Sequence, residues 1–261
     1  MAGRQRRMTL PSLKGREDPL YKPATKPASD PAHGAAIIFV HGLGDTAEGL
    51  ESTYQPLENE YTEVDWLHWI IPNAEESRDA MTTAWYTPNN LSNMTDRPEL
   101  QDDEDEAGML KTVKYLESLI EACGNKGIPP NRIVLGGFSQ GCAMSLLTDL
   151  VSQKYSGKLA GVAGLMGYLP LAAGYRINDL RAHADLPPVV GEVPVFLARG
   201  QKDQLIPKRV WNQTLKKLED LGLNRSAMDV HEYEGLGHAL SGPLLRDMCT
   251  WLEQVIPKLE D

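Results

Sequence analysis

Cysteine is scarce in this chain: Cys123, Cys142 and Cys249 are the three among 261 residues. They are too few and too scattered for a disulfide framework or a zinc cluster, which excludes the small disulfide-stapled secreted class. Also missing is any apolar run near the roughly 20 residues that a bilayer span requires, and the first residues lack the apolar stretch of a secretory signal. These absences predict a protein of the cytoplasm with its thiols reduced. Basic residues are outnumbered, 26 Lys/Arg against 36 Asp/Glu, for a net charge of −10. Such a surface repels phosphate backbones and argues against a nucleic-acid partner. There is no internal repeat and no low-complexity tract.

What is present suits one domain, with 41% hydrophobic residues in a length that α/β folds commonly use for a single core. The charge is uneven. Residues 1–34 hold seven Lys/Arg against three Asp/Glu, net +4, leaving −14 on the remainder. That stretch is rich in proline and has no apolar period, so it reads as a basic, disordered extension preceding a catalytic domain over 35–261. Its charge allows only weak peripheral contact with anionic lipid, because four net charges without a lipid anchor bind poorly.

From residue 35 onward, strand-like and helix-like segments alternate. Near-continuous apolar runs at 35–40, 66–71, 132–137, 159–166, 193–199 and 228–233 are the strand candidates. Such runs suit a mostly parallel central sheet covered by helices on both faces. A helix beginning near Glu104 carries the apolar stripe Leu110, Val113, Leu116 and Ile120. Its acidic lead-in, Asp102-Asp103-Glu104-Asp105-Glu106, reads as solvated capping charge and not as a metal site, since its carboxylates point around the helix axis. Further helices are expected over 140–151, 208–221 and 239–256. Segment 72–101 has no period and contains Pro72, Asn73, Met81, Trp85, Tyr86, Pro88, Asn89, Asn90 and Pro98. A long irregular connection of this kind often shapes a binding site.

The string Gly137-Phe138-Ser139-Gln140-Gly141 joins an apolar strand to a helix-like stretch. In that context the serine sits on a sharp strand-to-helix turn, a nucleophile elbow, with its hydroxyl exposed and the helix N-terminus aimed at it. A serine hydroxyl is a weak nucleophile and needs a base, and the base needs an orienting acid. Three histidines follow Ser139. His231 lies within a strand, His183 lies in a Pro-bounded polar stretch, and His238 lies just past a strand end on the loop Gly235-Leu236-Gly237, which favours His238 as the base. Asp203 follows the strand at 193–199 in the same way and is the preferred acid, with Asp179 and Asp185 as substitutes. Two backbone N–H groups would serve a developing oxyanion: that of Gln140, and that of Leu43 in His41-Gly42-Leu43-Gly44-Asp45. His41 reads as loop-shaping. Cys142 reads as a small residue packed against the sheet.

Together with Tyr168-Leu169-Pro170-Leu171, Gly200 and Pro207, and Tyr233-Glu234-Gly235, these motifs resemble those of the acyl-protein thioesterase family, also called the lysophospholipase/carboxylesterase family. The resemblance covers most of 36–256. It implies a single-domain α/β-hydrolase fold and a Ser139-Asp203-His238 triad. It also implies hydrolysis of fatty acyl thioesters on protein cysteines, or of acyl esters of lysophospholipids and small alcohols, with no metal or cofactor. A general carboxylesterase and a non-catalytic α/β-hydrolase-like binding protein are the alternatives. The chain departs from the family's usual residues at Cys142, Tyr86-Thr87, Tyr168 and Ala239, which bear on the acyl pocket and not on the chemistry. Met81, Trp85, Tyr168, Leu169 and Leu205 are the expected acyl-chain contacts.

Overall fold

The computed structural model describes residues 8–58, 64–88 and 104–259. Seven strands form the main sheet in the order β1-β3-β2-β6-β7-β8-β9. They are β1 (Leu20–Lys22), β2 (Ala35–Val40), β3 (Leu67–Ile71), β6 (Ile133–Phe138), β7 (Gly161–Leu165), β8 (Val195–Gly200) and β9 (Met228–Tyr233). Strand β1 pairs antiparallel with β3, and every other pairing in the sheet is parallel. A separate two-stranded hairpin joins β4 (Glu75–Ser77) to β5 (Thr82–Ala84).

The apolar runs become central strands because both faces of the sheet are covered. Along β2, Ala36, Ile38 and Val40 point into one core, while Ala35, Ile37 and Phe39 point into the other. This is the two-residue alternation of a strand, with apolar side chains on both sides. The first core is roofed by α2 (Glu106–Asn125), α3 (Gln140–Val151), α4 (Arg176–His183) and α5 (Lys208–Asp220). The second core is covered by α1 (Ala47–Glu58) and α6 (Gly242–Val255). The expected strands and helices therefore occur within two or three residues of their predicted bounds. The elements without an expected counterpart are α1, α4, β1 and the β4–β5 hairpin; β1, β4 and β5 are only three residues each, whereas α1 carries Ala47, Leu50, Tyr54 and Leu57 at helical spacing. Helix α4 buries only Ile177 and Arg181.

Residues 8–34 correct the expectation of a disordered extension. Met8 is buried, β1 completes an edge of the sheet, and the Tyr21 hydroxyl donates to His68 Nδ1 at 2.8 Å. The composition misled because this segment is held by a three-residue strand and single side-chain anchors, which leave no period to read. The expectations for residues 1–7, for 89–101 of the irregular stretch and for Asp102 and Asp103 of the acidic lead-in lie outside the described residues. Within the acidic lead-in, Asp105 is the N-cap of α2, accepting from Gly108 N–H at 2.9 Å. Its neighbours are not simply solvated: Glu104 accepts from the Leu171 N–H at 2.6 Å, and Glu106 pairs with Arg176.

Strand order reverses between β3-β2 and β6-β7, so the carboxyl ends of β2 and β6 flank a crevice at the switch point of the sheet. Open α/β sheets gather ligands there.

Candidate active site

Ser139 follows β6 directly and precedes α3, with φ 55° and ψ −116°. A non-glycine residue in that region is strained and persists only where its surroundings enforce it. The enforcement comes from backbone contacts on either side. A Cβ on Gly137 would lie 2.4 Å from the Gly141 carbonyl carbon, and one on Gly141 would lie 2.0 Å from the Val40 carbonyl oxygen. The glycines are needed for this close approach, and the positive φ falls on the serine itself. The main chain at Ser139 is also tied to β7 by its N–H to the Leu165 carbonyl at 2.9 Å. Helix α3 starts at the next residue, so its positive end faces the hydroxyl.

His238 reaches Ser139 from the loop after β9. Its Nε2 stands 2.9 Å from Ser139 Oγ, and its Nδ1 stands 2.8 Å from Asp203 Oδ2. A carboxylate only accepts, so Nδ1 carries the hydrogen and Nε2 is left as the acceptor for the serine O–H. Asp203, in the loop after β8, has its side chain fully buried. Its second oxygen accepts the N–H groups of Leu205 and Ile206, each at 2.9 Å, which fixes the carboxylate in its own turn. The two loops are sewn together. Gln201 N–H donates to Tyr233 O and Lys202 N–H to Leu236 O, both at 2.9 Å. Gly200 permits this, since a Cβ there would lie 2.2 Å from the Leu236 carbonyl oxygen.

The structure thus brings Ser139, Asp203 and His238 into one hydrogen-bonded line and leaves the competing residues elsewhere. His183 and Asp179 sit together on α4, and His231 on β9 packs against Phe196 and Tyr233.

The loop after β2 comes alongside the serine: a Cβ on Gly42 would lie 3.4 Å from Ser139 Cβ. That places the Leu43 main chain at the crevice. His41 is fully buried, donates from Nδ1 to Gly42 O at 2.7 Å and accepts the Ala74 N–H on Nε2 at 3.1 Å. Both nitrogens are committed, and burial holds its pKa below the ordinary histidine range. It shapes the loop.

Gln140 has a role beyond its backbone. Its buried amide accepts from Trp85 N–H at 3.0 Å and donates to Tyr86 O at 3.1 Å, clamping the segment after β5 to the elbow. This pairing joins residues 54 and 55 apart in sequence and left no local signal.

The expected acyl contacts divide. Met81 is 88% exposed at the hairpin turn, with φ 53°. Leu205 is half-buried next to Asp203. Trp85 and Leu169 correct the expectation, because both are core side chains. Trp85 packs beside Tyr115 and donates its indole N–H to His41 O at 2.8 Å. Tyr168 is buried with its hydroxyl 2.9 Å from that of Tyr86, and it packs with Ile206 and Val210 under the Asp203 turn. A lone aromatic in an aperiodic stretch reads as a pocket wall, yet here Trp85 is packed into the core.

Cys142 is fully buried in the space opened by two glycines; a Cβ on Gly167 would lie 2.5 Å from its sulfur and one on Gly164 2.7 Å. Burial pushes the thiol up to about 12, which removes it as a nucleophile at neutral pH. Among the described residues no cluster of His, Cys, Asp and Glu is arranged to hold a metal ion, and no helix is long and apolar enough to cross a membrane.

A doubly covered parallel sheet with a serine elbow, and with an acid and a histidine on later strand ends, defines the α/β-hydrolase class. The chain belongs to the phospholipase/carboxylesterase family, whose model matches residues 22–256. It is 33% identical to acyl-protein thioesterase 1 of Yarrowia lipolytica over 90% of this chain and 97% of the relative. It is 32% identical to acyl-protein thioesterase 1 of Schizosaccharomyces pombe, over 86% and 92% of the two chains. The crystal structure of Arabidopsis thaliana SOBER1 shares the fold, with a TM-score of 0.69 at 22% identity over 85% of this chain and 99% of that one.

Proposed function

We propose that the protein is a serine hydrolase of fatty acyl thioesters, acting on acylated protein cysteines, with Ser139, His238 and Asp203 as its catalytic residues. The observation that carries this reading is the unbroken line from Asp203 Oδ2 through His238 to Ser139 Oγ, at 2.8 and 2.9 Å. The names of the curated relatives support the thioester as substrate.

In this reading Ser139 Oγ attacks the acyl carbonyl carbon while His238 Nε2 takes the hydroxyl proton. The Asp203 carboxylate stabilises the imidazolium. The carbonyl oxygen becomes an oxyanion between the N–H groups of Gln140 and Leu43. The C–S bond then breaks, the thiolate leaves with the proton from His238, and an acyl-Ser139 ester remains. Water, deprotonated by the same imidazole, attacks that ester and releases the fatty acid and free Ser139. The protein works in the cytoplasm, touching anionic membrane no more than weakly.

The test compares purified protein with Ser139→Ala on a palmitoylated-cysteine peptide and on matched short-chain and long-chain oxyesters. Serine-dependent turnover favouring the thioester is the expected result. Serine-dependent turnover confined to short oxyesters would make it a general carboxylesterase, and equal inertness of both proteins would make it a binding protein.

A further inference from the structure

The N-terminal segment before residue 22 lies outside the family match, yet it is bound to the scaffold of the site. Arg16 forms an antiparallel bridge with Glu75, and its side chain, 3% exposed, runs inward over two aromatic rings. The guanidinium carbon lies 4.0 Å from the centroid of Tyr115 and 5.3 Å from that of Trp85. One terminal nitrogen donates to Asn73 O at 2.8 Å, and the other stands 3.5 Å from the Glu75 carboxylate, which Lys111 also contacts. Two residues on, Asp18 O accepts from the Asn73 amide at 3.0 Å.

Two of the four residues that the Arg16 side chain contacts lead to the loop beside the serine, Trp85 directly and Asn73 through its neighbour Ala74. Asn73 accepts the Ala47 N–H at the start of α1, and the next residue, Ala74, donates to His41 Nε2. Trp85 donates its indole N–H to His41 O and its backbone N–H to the Gln140 amide. His41 precedes Gly42-Leu43, and Gln140 follows Ser139, so the two oxyanion donors of the proposed reaction rest on the groups that Arg16 orders.

A buried ion pair is costly to desolvate and contributes little net stability, and replacing both partners by apolar residues of similar volume is often as stable or more so. The Arg16 Nε is itself buried without a partner, which adds to that cost. What Arg16 supplies is geometry, since its planar fork stacks and donates in fixed directions.

We propose that the segment 8–21 is part of the catalytic scaffold, with Arg16 a positioning residue that sets the His41-Gly42-Leu43 loop and Gln140 through Asn73 and Trp85. This inference rests on the hydrolase reading above. It goes beyond that reading in assigning a role to residues that the family match does not include.

The experiment measures kcat, KM, thermal midpoint and the rate of fluorophosphonate labelling for wild type, Arg16→Met, Arg16→Lys and Ser139→Ala. Arg16→Met strands the buried Asn73 carbonyl and is expected to lower the thermal midpoint modestly, while at temperatures where the variant is folded kcat and labelling rate fall by about tenfold or more, with KM within about twofold, because small misplacements of catalytic groups are expensive. Arg16→Lys, which keeps charge and stem but loses the fork, is expected to fall between the two. A kcat within about twofold of wild type in Arg16→Met, whatever its thermal midpoint, overturns the proposal; if that variant does not fold, a wild-type kcat in Arg16→Lys does so. Wild type labelling no faster than Ser139→Ala would instead overturn the hydrolase reading, and this inference with it.

Discussion

Gly141 and Val40 touch so closely that the smallest side chain on the first would fall 2.0 Å from the carbonyl oxygen of the second. The contact joins the start of α3 to the end of β2. It is where the elbow carrying Ser139 is pressed against the strand that leads to the Leu43 loop.

Gly141→Ala should therefore damage both stability and turnover. The new methyl meets backbone, which cannot swing away, so β2 and α3 must separate. Overpacking of this kind costs about 1–3 kcal/mol. Chemical denaturation and steady-state kinetics together check it, and a variant with wild-type midpoint and wild-type kcat would contradict the reason given for the glycine.

The two oxygens of Asp203 do separate jobs, and two substitutions distinguish them. Asp203→Asn keeps an acceptor for the Leu205 and Ile206 N–H groups but removes the negative charge facing His238. It should lower kcat by about a thousandfold or more and leave the denaturation midpoint nearly unchanged. Asp203→Ala loses activity as well, and in addition strands two N–H groups, one of them on buried Ile206. It should lower stability by about 1–3 kcal/mol. Equal stability of the two variants would show that the turn does not depend on the carboxylate.

Stability should vary with pH in two opposed ways. Burial holds His41 and His68 below the ordinary histidine pKa, and His68 Nδ1 accepts from Ala24 N–H and faces the Tyr21 hydroxyl. Below about pH 6.5 the unfolded chain takes up protons that the folded chain refuses, so stability falls as the solution is acidified. His68→Asn supplies an acceptor oxygen near the same place and should weaken that acid dependence. Asp149 behaves oppositely, being fully buried with its carboxyl pushed up to about 7 despite the nearby Arg181 cation. Between about pH 4 and pH 7 the folded state holds a proton that the unfolded state has lost, so this residue lowers stability as pH rises. Asp149→Asn should gain on wild type progressively across that range in denaturation at several pH values, and a constant difference would refute the assignment.

The site was legible where chemistry depends on short-range sequence. Ser139 announced itself because an elbow needs a strand, small neighbours and a helix start in consecutive positions. Asp203 and His238 were readable because each follows a strand end, where a parallel sheet delivers its loops to one edge. Trp85, Leu169 and residues 8–34 were misread for a shared reason. Their surroundings are made by residues distant in sequence: His41 and Gln140 around Trp85, Thr214 against the Leu169 N–H, and Asn73 and His68 against the N-terminal segment.

The sequence by itself determined the alternation of strands and helices, the parallel sheet with apolar residues toward both faces, and the choice of Ser139, Asp203 and His238 as the candidate nucleophile, acid and base. Periodicity and turn chemistry act over a few residues, and those features need nothing more. Only the tertiary structure decided that Asp203 and Ser139 meet on opposite nitrogens of one imidazole, that Cys142 is sealed beneath Gly167, and that Arg16 lies against Trp85. Those are distances between separate segments, set by the packing of the whole core and by hydrogen bonds that must be satisfied once water is excluded.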